Sequence, residues 1–265
     1  MPRPALFALL LAAALPLAAA SCADVSGTPD APAASDTLAV RTDSLLISVD
    51  SLQYTVAIGY PQLTGATATV SAETVARVNA AIRDSVAALA EQFRPEEAVA
   101  PEDRGQFAFA AEVEGGTEAV RLRGDVLSGL LGVYAYTGGA HGNTFYHALA
   151  YDLRTGAPLA LADAFRPGTP WADSLSAHAD RQLMATMRDP ADPLPDAEIR
   201  GLLYPEGYDA AAMRRVAFAL GADSLTLQFA PYEVAAYVFG APTVPVAYRD
   251  LDAFLRPDGP VARIR

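Results

Sequence analysis

Lysine is absent from this 265-residue sequence, and cysteine occurs once. All 19 basic residues are arginine, set against 31 acids, so the net charge is −12. An acid excess of that size repels phosphate backbones and argues against nucleic acid as a partner. The lone cysteine, Cys22, excludes a disulfide within the chain. Histidines number only three, His141, His147 and His178, and none sits in an HExxH or comparable ligand spacing. A G-x-S-x-G nucleophile turn is missing, as is any internal repeat. The glycine-rich stretch at 138–143 has no lysine and follows no parallel-sheet pattern, so it does not read as a phosphate cradle. These gaps leave no complete catalytic set, no cofactor motif and no expected resident metal.

What is present begins with an address. Arg3 precedes an apolar run, Ala5 to Ala20, that is broken by Pro16 and falls short of the ~20 residues a spanning helix needs. Ala19, Ala20 and Ser21 then lead into Cys22, the order of an export signal. Leu17-Ala18-Ala19-Ala20-Ser21-Cys22 resembles a bacterial lipobox, in which Cys22 would be acylated and become the new N-terminus. Two or more acyl chains hold a protein stably on a membrane. The expected location is therefore extracytoplasmic and membrane-anchored, in the periplasm or at the cell surface. Removing residues 1–21 takes away one arginine and no acid, which moves the net charge to −13. Ordinary secretion, with Cys22 idle, is the other reading. The polar Pro/Ser/Gly/Asp stretch after Cys22 buries too little to order itself and reads as a tether.

Downstream, 52 % hydrophobic residues suffice for a core. Leu45–Val49 and Tyr54–Ile58 read as strands, with Gly59, Pro61 and Gly65 as punctuation. Val75, Val78, Ile82, Val86, Leu89 and Phe93 form one stripe of a helix capped by Ser71 and stopped at Arg94-Pro95. Phe107–Val113, Ala119–Leu127, Gly129–Tyr136 and Thr144–Leu153 read as strands, with turns at Gly115-Gly116 and Arg154-Thr155-Gly156. A helix is expected from Thr169-Pro170 to Asp189-Pro190, with Thr169 as cap. A short helix near Ile199, a hairpin around Gly221–Ser224, an edge strand at Val244-Pro245-Val246 and a closing helix at Tyr248–Leu255 complete the chain. The fold class is α+β: antiparallel sheet packed against a few amphipathic helices. The expected divisions are signal peptide 1–21, acylated Cys22 and tether 22–43, the N-terminal part of the module 44–125, its C-terminal part 126–256, and a tail 257–265.

Five runs, in order, carry a family resemblance: Val56–Pro61; Val78–Ile82; Tyr136-Thr137-Gly138-Gly139-Ala140-His141-Gly142-Asn143; Tyr151–Gly156 with Leu159–Phe165; and Pro231–Tyr237 with Gly240. Together they resemble the extracytoplasmic module of the RsiV-type anti-sigma factors. The accessory region of certain peptidoglycan deacetylases is similar too. The resemblance implies a ligand-recognition module at the cell envelope, with lysozyme-like cationic proteins or peptidoglycan as partners. The acidic charge suits a cationic partner. The family's sigma-factor segment and spanning helix, and the deacetylase region, have no counterpart in these residues, so neither activity is carried over.

Around the glycine stretch, Tyr136, His141, Asn143 and Tyr146 are the candidate ligand-binding residues. Tyr134, Tyr136, Tyr151, Tyr232 and Tyr237 pose one question: core packing, or an exposed aromatic recognition surface. The competing chemistry is a metal-assisted envelope hydrolase that uses His141 and His147, which would share a face on an unbroken strand. Against it stands His141 as a turn residue bonded to backbone.

Overall fold

The structure is a computed structural model that describes residues 37–106, 110–188, 191 and 194–265. The signal segment, Cys22, most of the tether, and the expected boundaries at Phe107 and Asp189-Pro190 lie outside the described residues. No helix among those described is long and apolar enough to cross a membrane.

A six-stranded sheet forms the centre. β1 (Ala39–Val49), β2 (Tyr54–Thr64), β3 (Ala111–Arg123), β4 (Val126–Tyr136), β5 (Asn143–Asp152) and β6 (Ala157–Pro158) lie side by side in chain order. Neighbours are antiparallel except β2 and β3, which are parallel. That one parallel step needs a crossover, and α1 (Ala72–Glu91) supplies it.

α1 follows its sequence signals closely. The Ser71 hydroxyl accepts from the Thr74 N–H at 3.1 Å. Val75, Val78, Ile82, Val86 and Leu89 are buried against the sheet, in one core with Tyr54, Val56, Ile58, Leu131 and Val133. Asn79 has a separate task. Its side chain donates to the Leu63 carbonyl (2.9 Å) and accepts from the Leu63 N–H (2.7 Å). It thereby satisfies backbone that β3 does not reach, since the β2–β3 pairing ends at Ile58↔Gly115. Pro61 is accommodated in β2 for the same reason: it lies past that limit, with β1 as its neighbour.

On the other face lies a second core. β7 (Ala217–Leu220), β8 (Ser224–Gln228) and β9 (Thr243–Ala247) form an antiparallel sheet with β9 at its edge, as Pro245 requires. It packs with α2 (Trp171–Thr186), α3 (Asp196–Leu202) and α4 (Pro260–Ile264). The Leu220 N–H donates to the buried Ser128 hydroxyl oxygen across the two sheets at 2.8 Å. β4 and β5 thus alternate their residues between the cores: Leu127, Leu149 and Tyr151 face α1, and Val126 and Ala150 face the smaller sheet.

Three expectations are corrected. Gly115-Gly116 is not a turn but the middle of one long strand, β3. A Cβ on Gly115 would stand 2.5 Å from the Gly132 carbonyl oxygen, so glycine here permits a close approach of strands. The hairpin turns instead at Gly124-Asp125. α2 has no side-chain cap: Pro170, not Thr169, stands at the N-cap, and the Thr169 hydroxyl donates back to the Arg166 carbonyl at 2.7 Å. Tyr248–Leu255 is a 3₁₀ turn (Tyr248–Asp250) followed by turns, not a helix, and Leu255 bridges to Phe165. The helix that closes the chain is α4, whose Val261 and Ile264 are buried in the second core.

Candidate functional site

The glycine-rich stretch links β4 to β5. Gly138 and Gly139 turn the chain at φ 94° and 96°. The loop is held by side chains of its own strands. The Tyr136 hydroxyl donates to the Gly139 carbonyl at 3.1 Å, and the Gly142 N–H donates to the Tyr134 hydroxyl at 3.1 Å. No side chain fits at 142: a Cβ would come 2.5 Å from both the Ala135 carbonyl oxygen and the Tyr134 ring.

Against this loop lies the Pro231–Gly240 link, ninety residues later in the chain. The Tyr237 hydroxyl donates to the Gly142 carbonyl at 3.4 Å. The His141 ring stacks on Tyr237 with centroids 4.2 Å apart and on Tyr232 at 6.4 Å; Tyr232 and Tyr237 tilt together at 5.3 Å. Tyr232 holds a left-handed φ of 69°, a strained state for a residue with a side chain. The cluster is open to solvent, with Tyr232 51 % exposed and Tyr134 and Tyr237 each 37–38 %; exposed Val238 (83 %) and Phe239 (38 %) follow Tyr237 in its 3₁₀ turn. Under it, the Glu233 carboxylate accepts from the Ala230 N–H at 2.8 Å, and burial pushes its pKa up. Two of the runs picked out in the sequence therefore meet in space as one exposed aromatic surface.

The four candidate residues separate within this frame. His141 is exposed at the centre of the cluster, its Nδ1 2.9 Å from its neighbour Gly142's carbonyl oxygen. Tyr136 is buried and supports the loop from below. Tyr146 is half-buried further along β5, opposite Gly132; burial and the Glu118 charge push its phenol up. Asn143 is half-buried, and its Oδ1 is enclosed with no hydrogen-bond partner in the described structure. By strand alternation Asn143 and His147 take the α1 side with Phe145, which packs on Phe93 at 5.4 Å. His147 is half-buried opposite Leu131, and burial pushes its pKa down. Among the described residues no three His, Cys, Asp or Glu side chains gather as a metal site. His141 and His147 thus gain no third ligand. His178 is 3.2 Å from the Pro245 carbonyl oxygen, between α2 and β9. Val238 and Phe239 went unnoticed in the sequence, although an apolar run closed by Gly240 outside any strand was the available signal.

The other turn-bearing run, Tyr151–Gly156, builds a clasp rather than an opening. Arg263 of α4 donates to Asp125 at 2.9 Å and to both Asp152 oxygens at 3.1 and 3.0 Å. Arg154 adds its backbone N–H and its guanidinium to Asp152. Burial alone would raise the Asp152 carboxyl; the Arg154 and Arg263 hydrogen bonds and the Arg263 charge outweigh it and hold it at about 2.

In architecture the chain is a mixed α+β module, and solved structures share it. It resembles a member of the DUF3298 family from Bacteroides fragilis NCTC 9343 (TM-score 0.64, 18 % identity, covering 87 % of this chain and 99 % of that one). It also resembles a DUF3298 family protein from Pseudomonas aeruginosa PAO1 (TM-score 0.54, 17 % identity, 83 % and 94 % covered). Residues 162–249 match the family model described as a protein of unknown function, DUF3298. Residues 47–144 match the model described as deacetylase PdaC. Comparison with curated proteins finds no match. The aromatic cluster draws Tyr134 and His141 from one matched segment and Tyr232 and Tyr237 from the other.

Proposed function

We propose that this chain is a cell-envelope lipoprotein, anchored through Cys22, whose folded part is a non-catalytic binding module of the RsiV type. Its contact surface is the cluster of Tyr134, His141, Tyr232, Tyr237 and Phe239. The observation that carries the reading is that cluster itself: exposed aromatics of low side-chain entropy, held in place by a loop whose backbone is bonded to their own hydroxyls. The similarity to DUF3298 structures supports the module without naming its ligand. An acidic protein with an aromatic face suits a cationic protein of the muramidase class, with peptidoglycan fragments as the second ligand.

The test is titration calorimetry of the acylated protein in detergent with cationic muramidases and with soluble peptidoglycan fragments. Binding is expected at tens of micromolar or tighter. Tyr237→Ala and Phe239→Ala should each weaken it by at least about tenfold. Absence of binding to every ligand at that concentration, or full binding by both variants, would overturn the proposal. Mass spectrometry of the mature N-terminus, with Cys22→Ser as control, tests the anchor.

A further inference from the structure

Away from the aromatic surface, β3 is interrupted opposite Gly129. Glu118 pairs with Leu130 and Arg121 with Ser128, so two residues face one and the strand bulges. Ala119 in the bulge has φ 52°, a left-handed state that an alanine adopts at a cost. The bulge lies where β3 has lost β2 as a partner, so it faces a gap. Beside the bulge, on the face of the second core, is a cavity of about 330 Å³ between the end of β3, the β7–β8 turn and α4. Val126, Leu220 and Ile264 of the second core give it an apolar floor. Arg121 and Arg123 line its mouth. Two residues apart on one strand, they share a face.

Most arginines of this acidic chain lie within ion-pair distance of a carboxylate. Arg121 and Arg123 are exposed, and their guanidinium groups have neither an ion pair nor a hydrogen bond among the described residues. Asp223 shares an adjoining recess with Arg121 but is not paired with it. Deeper in the cavity is Ser128, buried, whose oxygen accepts from the Leu220 N–H. Its own hydroxyl hydrogen has no acceptor among the described residues, so one buried donor remains to be satisfied.

We propose that this cavity binds a small organic oxyanion: a carboxylate or phosphate head gripped by Arg121 and Arg123, with a short apolar body on Val126, Leu220 and Ile264. Arginine's planar fork matches either head group. The volume, at the low end for ligand sites, admits only a small molecule. This site is independent of the aromatic surface and of whatever binds there.

The experiment is calorimetric titration of the full protein with three probes: isovalerate, phenyl phosphate and the neutral isovaleramide. Saturable binding of one or both anions, and none of the amide, is expected; which anion binds more tightly identifies the head group. Arg121→Ala with Arg123→Ala should weaken that binding at least tenfold, and both residues are exposed, so the fold is retained. No saturable binding of either anion, equal binding of the amide, or undiminished binding in the double arginine variant overturns the proposal.

Discussion

Replacing Asp152 with asparagine should cost stability in a way that depends on pH. The carboxylate is mostly enclosed (13 % exposed) and takes hydrogen bonds from two arginines and a backbone N–H. Its pKa falls from 3.8 to about 2. At about 1.4 kcal/mol per unit, that depression corresponds to roughly 2 kcal/mol of folding free energy. The sign follows from the direction of the shift. A depressed carboxylate contributes fully above its unfolded pKa and loses its contribution as pH falls toward the folded value. Wild type should therefore exceed Asp152→Asn by about 2 kcal/mol at pH 7 and by about half as much at pH 3. Urea unfolding of both proteins at the two pH values measures it. A constant difference between pH 7 and pH 3 would refute the clasp as an electrostatic device, whatever the size of that difference. So would a loss below about 0.5 kcal/mol at pH 7.

Other expectations are shorter. Ile82→Ala empties a fully buried site between α1 and the sheet and should cost about 3 kcal/mol in urea unfolding. Gly142→Ala drives a methyl group into the Ala135 carbonyl and the Tyr134 ring, so it should both destabilise the fold and abolish the stacking of His141 on Tyr237, visible in NMR ring-current shifts. His147 should titrate below 6.5 by NMR, because burial disfavours its charged form. The folded state then binds the proton less readily than the unfolded state does. Stability is lost as pH falls below 6.5, and His147→Leu should flatten that acid limb.

Much of the architecture was legible because it is written locally. α1 announced itself through one apolar stripe, a serine cap and a terminating proline, all signals within a single helix. The β7–β8 hairpin and the edge position of Pro245 followed from equally local chemistry. Gly115 misled because a glycine that permits a close approach looks, in sequence, like a glycine that turns the chain; only the backbone of Gly132 on the neighbouring strand tells them apart. The strand expected at Thr144–Leu153 is β5, begun one residue earlier at Asn143; alternation along it sends Asn143 and Tyr146 to opposite faces and so divides the candidate set. Tyr134 and Tyr136 do share a face, but one is buried and the other lies at the rim.

The sequence by itself determined the acid excess, the all-arginine set of 19 bases, the export-like start, the amphipathic helix and the glycine turn, because each is a property of composition or of a few adjacent residues. Only the tertiary structure decided what these turns are for. His141 meets Tyr232 and Tyr237 across ninety residues, and Arg263 meets Asp125 and Asp152 across more than a hundred. No local pattern specifies such encounters. They arise because segments far apart in the chain pack at the two ends of β4 and β5, the Pro231–Gly240 link against the β4–β5 loop at one end and α4 beside Asp125 and Asp152 at the other.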